Sequence, residues 1–331
     1  MWDEVLGHQQ NKEFLQKLLL PGSRPHALLF YGMGGIGKKM LALHFARTFL
    51  CTGQGARPCG LCESCRLFDI ANDSFAHPDF YLLTAEEAGK DIKIEQVKEM
   101  AKQAAFAPVL SAHKVCIIDD AGQMTAEAAN SLLKLLEEPP PGWLFILIMQ
   151  QAERLLPTVL SRVVRLRFEA QDLDDVQQIL QAHGVIDNAK VLAALAGGSP
   201  GRTLAFKEAG IFDLRHEALA LLQKLPLQNP FGHIAGLGWG DKYDRAAALL
   251  LTEQFVYLLR DILLLQSGAA DKIYNTDILA ALERLAQSTP LHTTRQSVNA
   301  AQEAWQNINK NVSAKNVLEA LVLKLDLLRK E

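Results

Sequence analysis

The segment Gly32-Met33-Gly34-Gly35-Ile36-Gly37-Lys38-Lys39 follows an apolar run, Ala27 to Tyr31, and opens a helical pattern from Lys38 to Leu50. Glycines at this spacing let backbone N–H groups turn inward around an anion at a helix N-terminus, and Lys38 is placed to reach the outer oxygens. A strand, a phosphate-cradling turn and a helix in that order restrict the fold to an α/β architecture. The segment departs from the usual G-x4-G-K-[ST] pattern at its last position, where a hydroxyl would ligate Mg2+. Lys39 stands there instead, and an ammonium has no lone pair to give a cation. Hydrolysis is therefore expected to be lost or crippled. Two readings of Gly32, Gly37, Lys38 and Lys39 stay open: a degenerate site that still takes ATP or ADP, and a glycine-rich turn that binds neither.

Four more apolar runs extend the α/β pattern: Phe80 to Leu83, Lys114 to Ile118, Trp143 to Met149 and Val163 to Phe168. They are near-continuous, as expected of parallel strands covered by helices on both faces. Between them, Met124 to Glu138 reads as a helix with Thr125 as N-cap, a stripe of Leu132, Leu133, Leu135 and Leu136, and a stop at Pro139-Pro140-Pro141. The strand Val115-Cys116-Ile117-Ile118 ends in Asp119 and Asp120. Beside a phosphate loop Asp119 suits the metal side, whereas Asp120 stands where a glutamate would orient water and is one methylene short. The plainer alternative is that both carboxylates merely cap the strand.

Four of the five cysteines, Cys51, Cys59, Cys62 and Cys65, fall in a C-x7-C-x2-C-x2-C pattern. Such clustering argues for a closed tetrahedral thiolate site, structural Zn2+ first and iron–sulfur or redox chemistry second. Cys116, in mid-strand, reads as a small buried hydrophobe.

After Phe168 the strand signal disappears. Residues 169–210 read as a small helical unit broken by Gly184 and by Gly197-Gly198-Ser199-Pro200-Gly201, and 211–331 as all helical. The glycine-rich segment formally matches a hydrolase nucleophile elbow, but a helix and not a strand precedes it. The apolar stripe around Leu318, Leu321, Val322, Leu325 and Leu328 is wider than one face needs, so that helix either packs deeply or meets a partner chain. Net charge is -3, with 18 basic and 18 acidic residues up to Phe168 and 16 and 19 beyond it. Neither part is a broad electrostatic binder of nucleic acid. Lys98 and Lys102 on one helix read as a solvated face before they read as phosphate contacts. No apolar run nears 18 residues, and the start, Met1-Trp2-Asp3-Glu4, is acidic where a secretory signal is basic, so a cytoplasmic protein without a membrane span is expected.

The order of parts resembles the clamp-loader branch of the AAA+ ATPases. The resemblance is carried by Leu6-Gly7-His8, His26-Ala27-Leu28-Leu29-Phe30, the four-cysteine insert, His77-Pro78-Asp79, Asn130-Ser131-Leu132-Leu133-Lys134, Leu136-Glu137-Glu138-Pro139-Pro140 and Leu156-Pro157-Thr158-Val159-Leu160-Ser161-Arg162. It implies an AAA+ P-loop domain over 1–168 with a zinc module at 51–65, a helical lid over 169–210 and a helical collar over 211–331 through which subunits assemble. It also implies that Ser161-Arg162-Val163 corresponds to the family's Ser-Arg-Cys motif, whose arginine finger enters a neighbour's ATP site, with Val163 in place of cysteine. Arg202 matches the family's sensor-2 arginine. The partners implied are the gamma or tau ATPase subunits and delta, acting together on a sliding clamp and primed DNA in replication, within a DNA polymerase holoenzyme. The alternatives are an active gamma- or tau-type motor subunit, against which Lys39 and Asp120 argue, and a stand-alone P-loop phosphotransferase, which would need a metal ligand after Lys38.

Overall fold

The computed structural model describes residues 5–20, 22, 24–87, 90–184, 188–239 and 243–330, so the acidic start at residues 1–4 lies outside them. Contacts divide the chain into two compact units, one running to Ile179 together with Gly198–Arg202, the other Leu180–Gly197 with Thr203 onward.

In the first unit the elements run α1 (Gln9–Leu18), β1 (Ala27–Gly32), α2 (Lys38–Leu50), α3 (Glu63–Arg66), β2 (Phe68–Asp69), β3 (Ser74–Phe75), β4 (Phe80–Leu83), α4 (Ile94–Ala104), β5 (Lys114–Ile118), α5 (Ala126–Glu137), β6 (Trp143–Met149), α6 (Pro157–Leu160) and β7 (Val164–Phe168). Five strands make one parallel sheet in the order β4-β5-β6-β1-β7. These are the five expected strands, β7 starting one residue later at Val164. The β2–β3 ribbon is additional.

Alternate strand residues face opposite layers, which is why the runs are apolar throughout. Leu28, Phe30, Val115, Ile117 and Ile146 pack with Leu41 and Phe45 of α2. Leu29, Cys116, Ile118, Phe145 and Leu147 pack with Val97 of α4 and Leu132 and Leu136 of α5. The N-cap of α5 is Thr125, whose hydroxyl accepts the Ala128 N–H at 3.2 Å. Gly32 ends β1 with φ +144°, and a Cβ there would lie 2.2 Å from the Phe168 carbonyl oxygen, so β1 and β7 approach more closely than a side chain permits.

Helices α7 (Leu173–Ala182), α8 (Ala189–Leu195) and α9 (Pro200–Glu208) follow, then α10 (Ile211–Lys224), α11 (Pro230–Leu237), α12 (Arg245–Gln266), α13 (Leu279–Ser288), α14 (Leu291–Asn309) and α15 (Ala314–Lys330). Residues 185–187 of the expected small helical unit lie outside the described residues. The wide stripe is explained within the second unit: Val317, Leu318, Leu321, Val322 and Leu325 are buried, and α15 packs on α11, α12 and α14. Leu328 is half-buried, and its neighbour Leu327 is 58% exposed. Among the described residues no helix is long and apolar enough to cross a membrane.

Candidate functional site

The phosphate loop lies where the rules for parallel sheets put a ligand site, at the carboxyl end of β1. Gly37 is the N-cap of α2, and Gly34, Gly37, Lys38, Lys39, Asp119 and Gln150 help line a cavity of about 540 Å³ there. Asp120 lines it too, whereas Gly32 and Arg202 are not among its lining residues.

Lys38 is 6% exposed, and its Nζ donates to the carbonyls of Gly32 and Met33, each at 2.6 Å. Burial lowers its pKa, and the carboxylates of Asp120 and Asp119 oppose that shift. Lys39 turns the other way. Its Nζ is 3.1 Å from Asp119 Oδ2, with the two side chains 43% and 27% exposed. Asp120 has φ +55° and accepts a bond from Gln123 Nε2 at 2.8 Å.

The loop is also tied from outside. Ser199 Oγ donates to the Gly34 carbonyl and the Gly201 N–H to the Gly35 carbonyl, both at 2.9 Å. His8 Nε2 donates to the Ile36 carbonyl at 2.7 Å, and burial lowers the pKa of that imidazole. Arg202 meets this clasp through its backbone, its N–H donating to Ser199 Oγ at 3.3 Å. The Gly-Ser-Pro-Gly segment thus serves as a brace for the loop and not as a nucleophile elbow.

Arg162 follows α6, outside the cavity lining. Its NH1 donates to the Thr158 carbonyl at 2.8 Å and to Ser161 Oγ at 3.1 Å, and its NH2 pairs with Glu137 Oε1 at 2.8 Å. Lys102, by contrast, is spent on an exposed pair with Glu99.

The four cysteine sulfurs all lie within 4.8 Å of one another, Cys51 and Cys62 at 3.8 Å. Four sulfurs bound to zinc at about 2.3 Å would be about 3.8 Å apart along each tetrahedral edge. Backbone N–H groups donate to three of them: Cys59 to the Cys51 sulfur, Cys62 to that of Cys59 and Cys65 to that of Cys62, at 3.3–3.4 Å. A Cβ on Gly53 would fall 2.5 Å from the Cys59 sulfur, so the loop closes over the cluster only with glycine there. Burial pushes the Cys62 thiol up, but bonds from the Cys65 N–H and Thr52 outweigh it and bring it down to about 5. Burial pushes the Cys65 thiol up to about 12. Four thiolates this close need a dication to carry their charge, and the donor set fits one.

The sequence assigns no role to His8 or Glu137, although both sit inside quoted motifs, because their partners, the Ile36 carbonyl and Arg162, lie 28 and 25 residues away and are set by tertiary register. Gln123 gives no signal either, although its partner Asp120 is only three residues away.

Comparison with known proteins places these geometries in context. The family model described as "DNA polymerase III, delta subunit" matches residues 7–172, and the model for its C-terminal region matches 242–325. A DNA polymerase III subunit delta' from Bacillus subtilis is 31% identical over 304 residues, 91% of this chain and 90% of that protein. The subunit delta' of Escherichia coli is 32% identical over 269 residues, covering 80% and 77%. A subunit gamma/tau from Mycobacterium tuberculosis is 34% identical over 210 residues, which is 61% of this chain but 36% of that protein.

Proposed function

The chain belongs to the family of DNA polymerase III delta' subunits, and from that footing we propose that it is the clamp-loader subunit that does not turn over ATP itself and lends Arg162 to the ATP site of a neighbour. The observation that carries this reading is the Lys39–Asp119 pair at 3.1 Å. Mg2+ does not fit here: the ammonium takes up the carboxylate that would hold the ion and brings a positive charge in place of the hydroxyl ligand.

Arg162 is on the surface and outside that cavity, which suits delivery to another molecule. A guanidinium set against a γ-phosphate stabilises the charge of the transition state, worth about 10³ to 10⁵ in rate. In this reading residues 1–168 are the AAA+ domain, 169–210 a lid and 211–331 the collar. Cys51, Cys59, Cys62 and Cys65 hold a structural Zn2+. The cytoplasmic assembly, with gamma or tau ATPase subunits and delta, opens the sliding clamp and sets it on primed DNA.

The test is Mg2+-dependent ATP hydrolysis by the purified chain, alone and mixed with the ATPase subunits. The isolated chain should be silent, should raise its partners' turnover, and should lose that effect as Arg162→Ala while still assembling. Turnover by the isolated chain would hand the case to the motor-subunit reading, and undiminished turnover with Arg162→Ala would remove the arginine's role.

A further inference from the structure

Glu137 is the last residue of α5, and the proline run that follows stops the helix there. The residue before it, Leu136, is 1% exposed and anchored in the layer under the sheet, so the backbone that presents Glu137 is fixed from both sides. Its carboxylate faces outward and takes Arg162 NH2 at 2.8 Å. No hydrogen bond or ion pair joins the adjacent Glu138 to this guanidinium.

A guanidinium has five N–H donors. Three are engaged, by the Thr158 carbonyl, Ser161 Oγ and Glu137 Oε1, which leaves two for an oxygen brought by another molecule. Acceptors on two separate elements, the end of α5 and α6 with its C-cap Ser161, fix the plane of the group before any such oxygen arrives. An arginine held in this way gives up little rotamer freedom on contact.

We infer that Glu137 is a positioning residue, holding the Arg162 guanidinium in the orientation in which it meets the terminal phosphate on the neighbouring subunit. The inference rests on the reading of Arg162 given above. It assigns work to the first glutamate of the Leu-Glu-Glu-Pro-Pro segment, through a contact that joins the end of α5 to the residue following the C-cap of α6, 25 residues along the chain.

The experiment uses the assembled complex, with assembly checked by size-exclusion chromatography, and measures kcat and KM for ATP with this chain as wild type, Glu137→Ala, Glu137→Asp, Arg162→Ala and the Glu137→Ala/Arg162→Ala double variant. Glu137→Ala should lower kcat about threefold to fivefold with KM unchanged, the scale of one exposed ion pair. Glu137→Asp should recover part of the loss. In the Arg162→Ala background, Glu137→Ala should change nothing further, because its effect runs through the arginine. An unchanged kcat for Glu137→Ala beside a reduced one for Arg162→Ala overturns the inference and spares the trans-arginine reading. So does a raised kcat, which would make the pair a restraint, or an additive double variant, which would make Glu137 structural. If Arg162→Ala itself leaves turnover intact, both fall.

Discussion

The Lys39–Asp119 pair is too exposed to add much stability, and its importance lies in what it denies Asp119. Lys39→Thr removes the ammonium and restores a hydroxyl at the start of α2. That variant should bind ATP in the presence of Mg2+ about tenfold more tightly than wild type, read by titration calorimetry with and without the metal. Equal affinities would mean that Lys39 is not what keeps Mg2+-ATP from the site. The mismatch at Lys39 was plain from the motif, but its partner was not: Asp119 lies eighty residues away and reaches it only because β5, β6 and β1 stand side by side. A second prediction concerns protons. Burial holds His8, His77 and His113 below the ordinary value of 6.5. The unfolded chain therefore takes up these protons first as pH falls, so their contribution to stability is complete above about 6.5 and is lost below it. The urea midpoint should drop between about pH 7.5 and about pH 6.0, and drop less in a His8→Gln/His113→Gln variant. A midpoint that is flat across this range would contradict the burial of the three rings.

Strands and helices of the sheet were legible because each is long enough to show its period, and doubly covered strands show it as unbroken apolar runs. The β2–β3 ribbon has two residues per strand, too few for any period, and the His77-Pro78-Asp79 segment gave no hint of its task. Asp79 is fully buried and accepts the N–H groups of Val109, Leu110 and Ser111 at 2.7–2.8 Å. Ser111 Oγ and Ser64 Oγ both donate to the Leu50 carbonyl, and His77 Nε2 meets Ser64 Oγ at 2.9 Å. This network ties α3, with Cys65 on it, to the last turn of α2 and to the loop before β5. Asp79→Asn sets an amide donor against three N–H donors and should cost about 2–4 kcal/mol, measured by urea unfolding. A cost near zero would show that the loop finds other partners. The cysteine pattern itself was fully readable, since spacing alone brings four sulfurs to one point; the protein should carry one zinc per chain by elemental analysis, and Cys62→Ser should abolish it.

At the scale of the whole chain, every group singled out as sensitive to metal or acid belongs to one compact unit. Cys51, Cys59, Cys62, Cys65, His8, His77 and His113 all precede Ile179. The other unit has its own apolar core, with Leu251, Phe255, Leu258, Leu318 and Val322 buried, and its own buried charge, Arg215, bonded to Asp277 at 2.6 Å. A unit with a complete core can unfold as a cooperative body of its own. Tryptophans report on each separately, Trp143 on β6 in the first and Trp239 and Trp305 in the second. In variants that lack the fourth tryptophan, Trp2, and keep one of these three reporters at a time, stripping the metal should lower the Trp143 melting transition by about 5 °C or more while the Trp239 and Trp305 transitions move by less than about 1 °C. Lowering the pH should divide the transitions in the same way, because the depressed histidines lie on the same side. If all three reporters shift together, the units melt as one body, and the chain carries the loss of its cysteine-held ion from the phosphate-loop unit through to the helices beyond it.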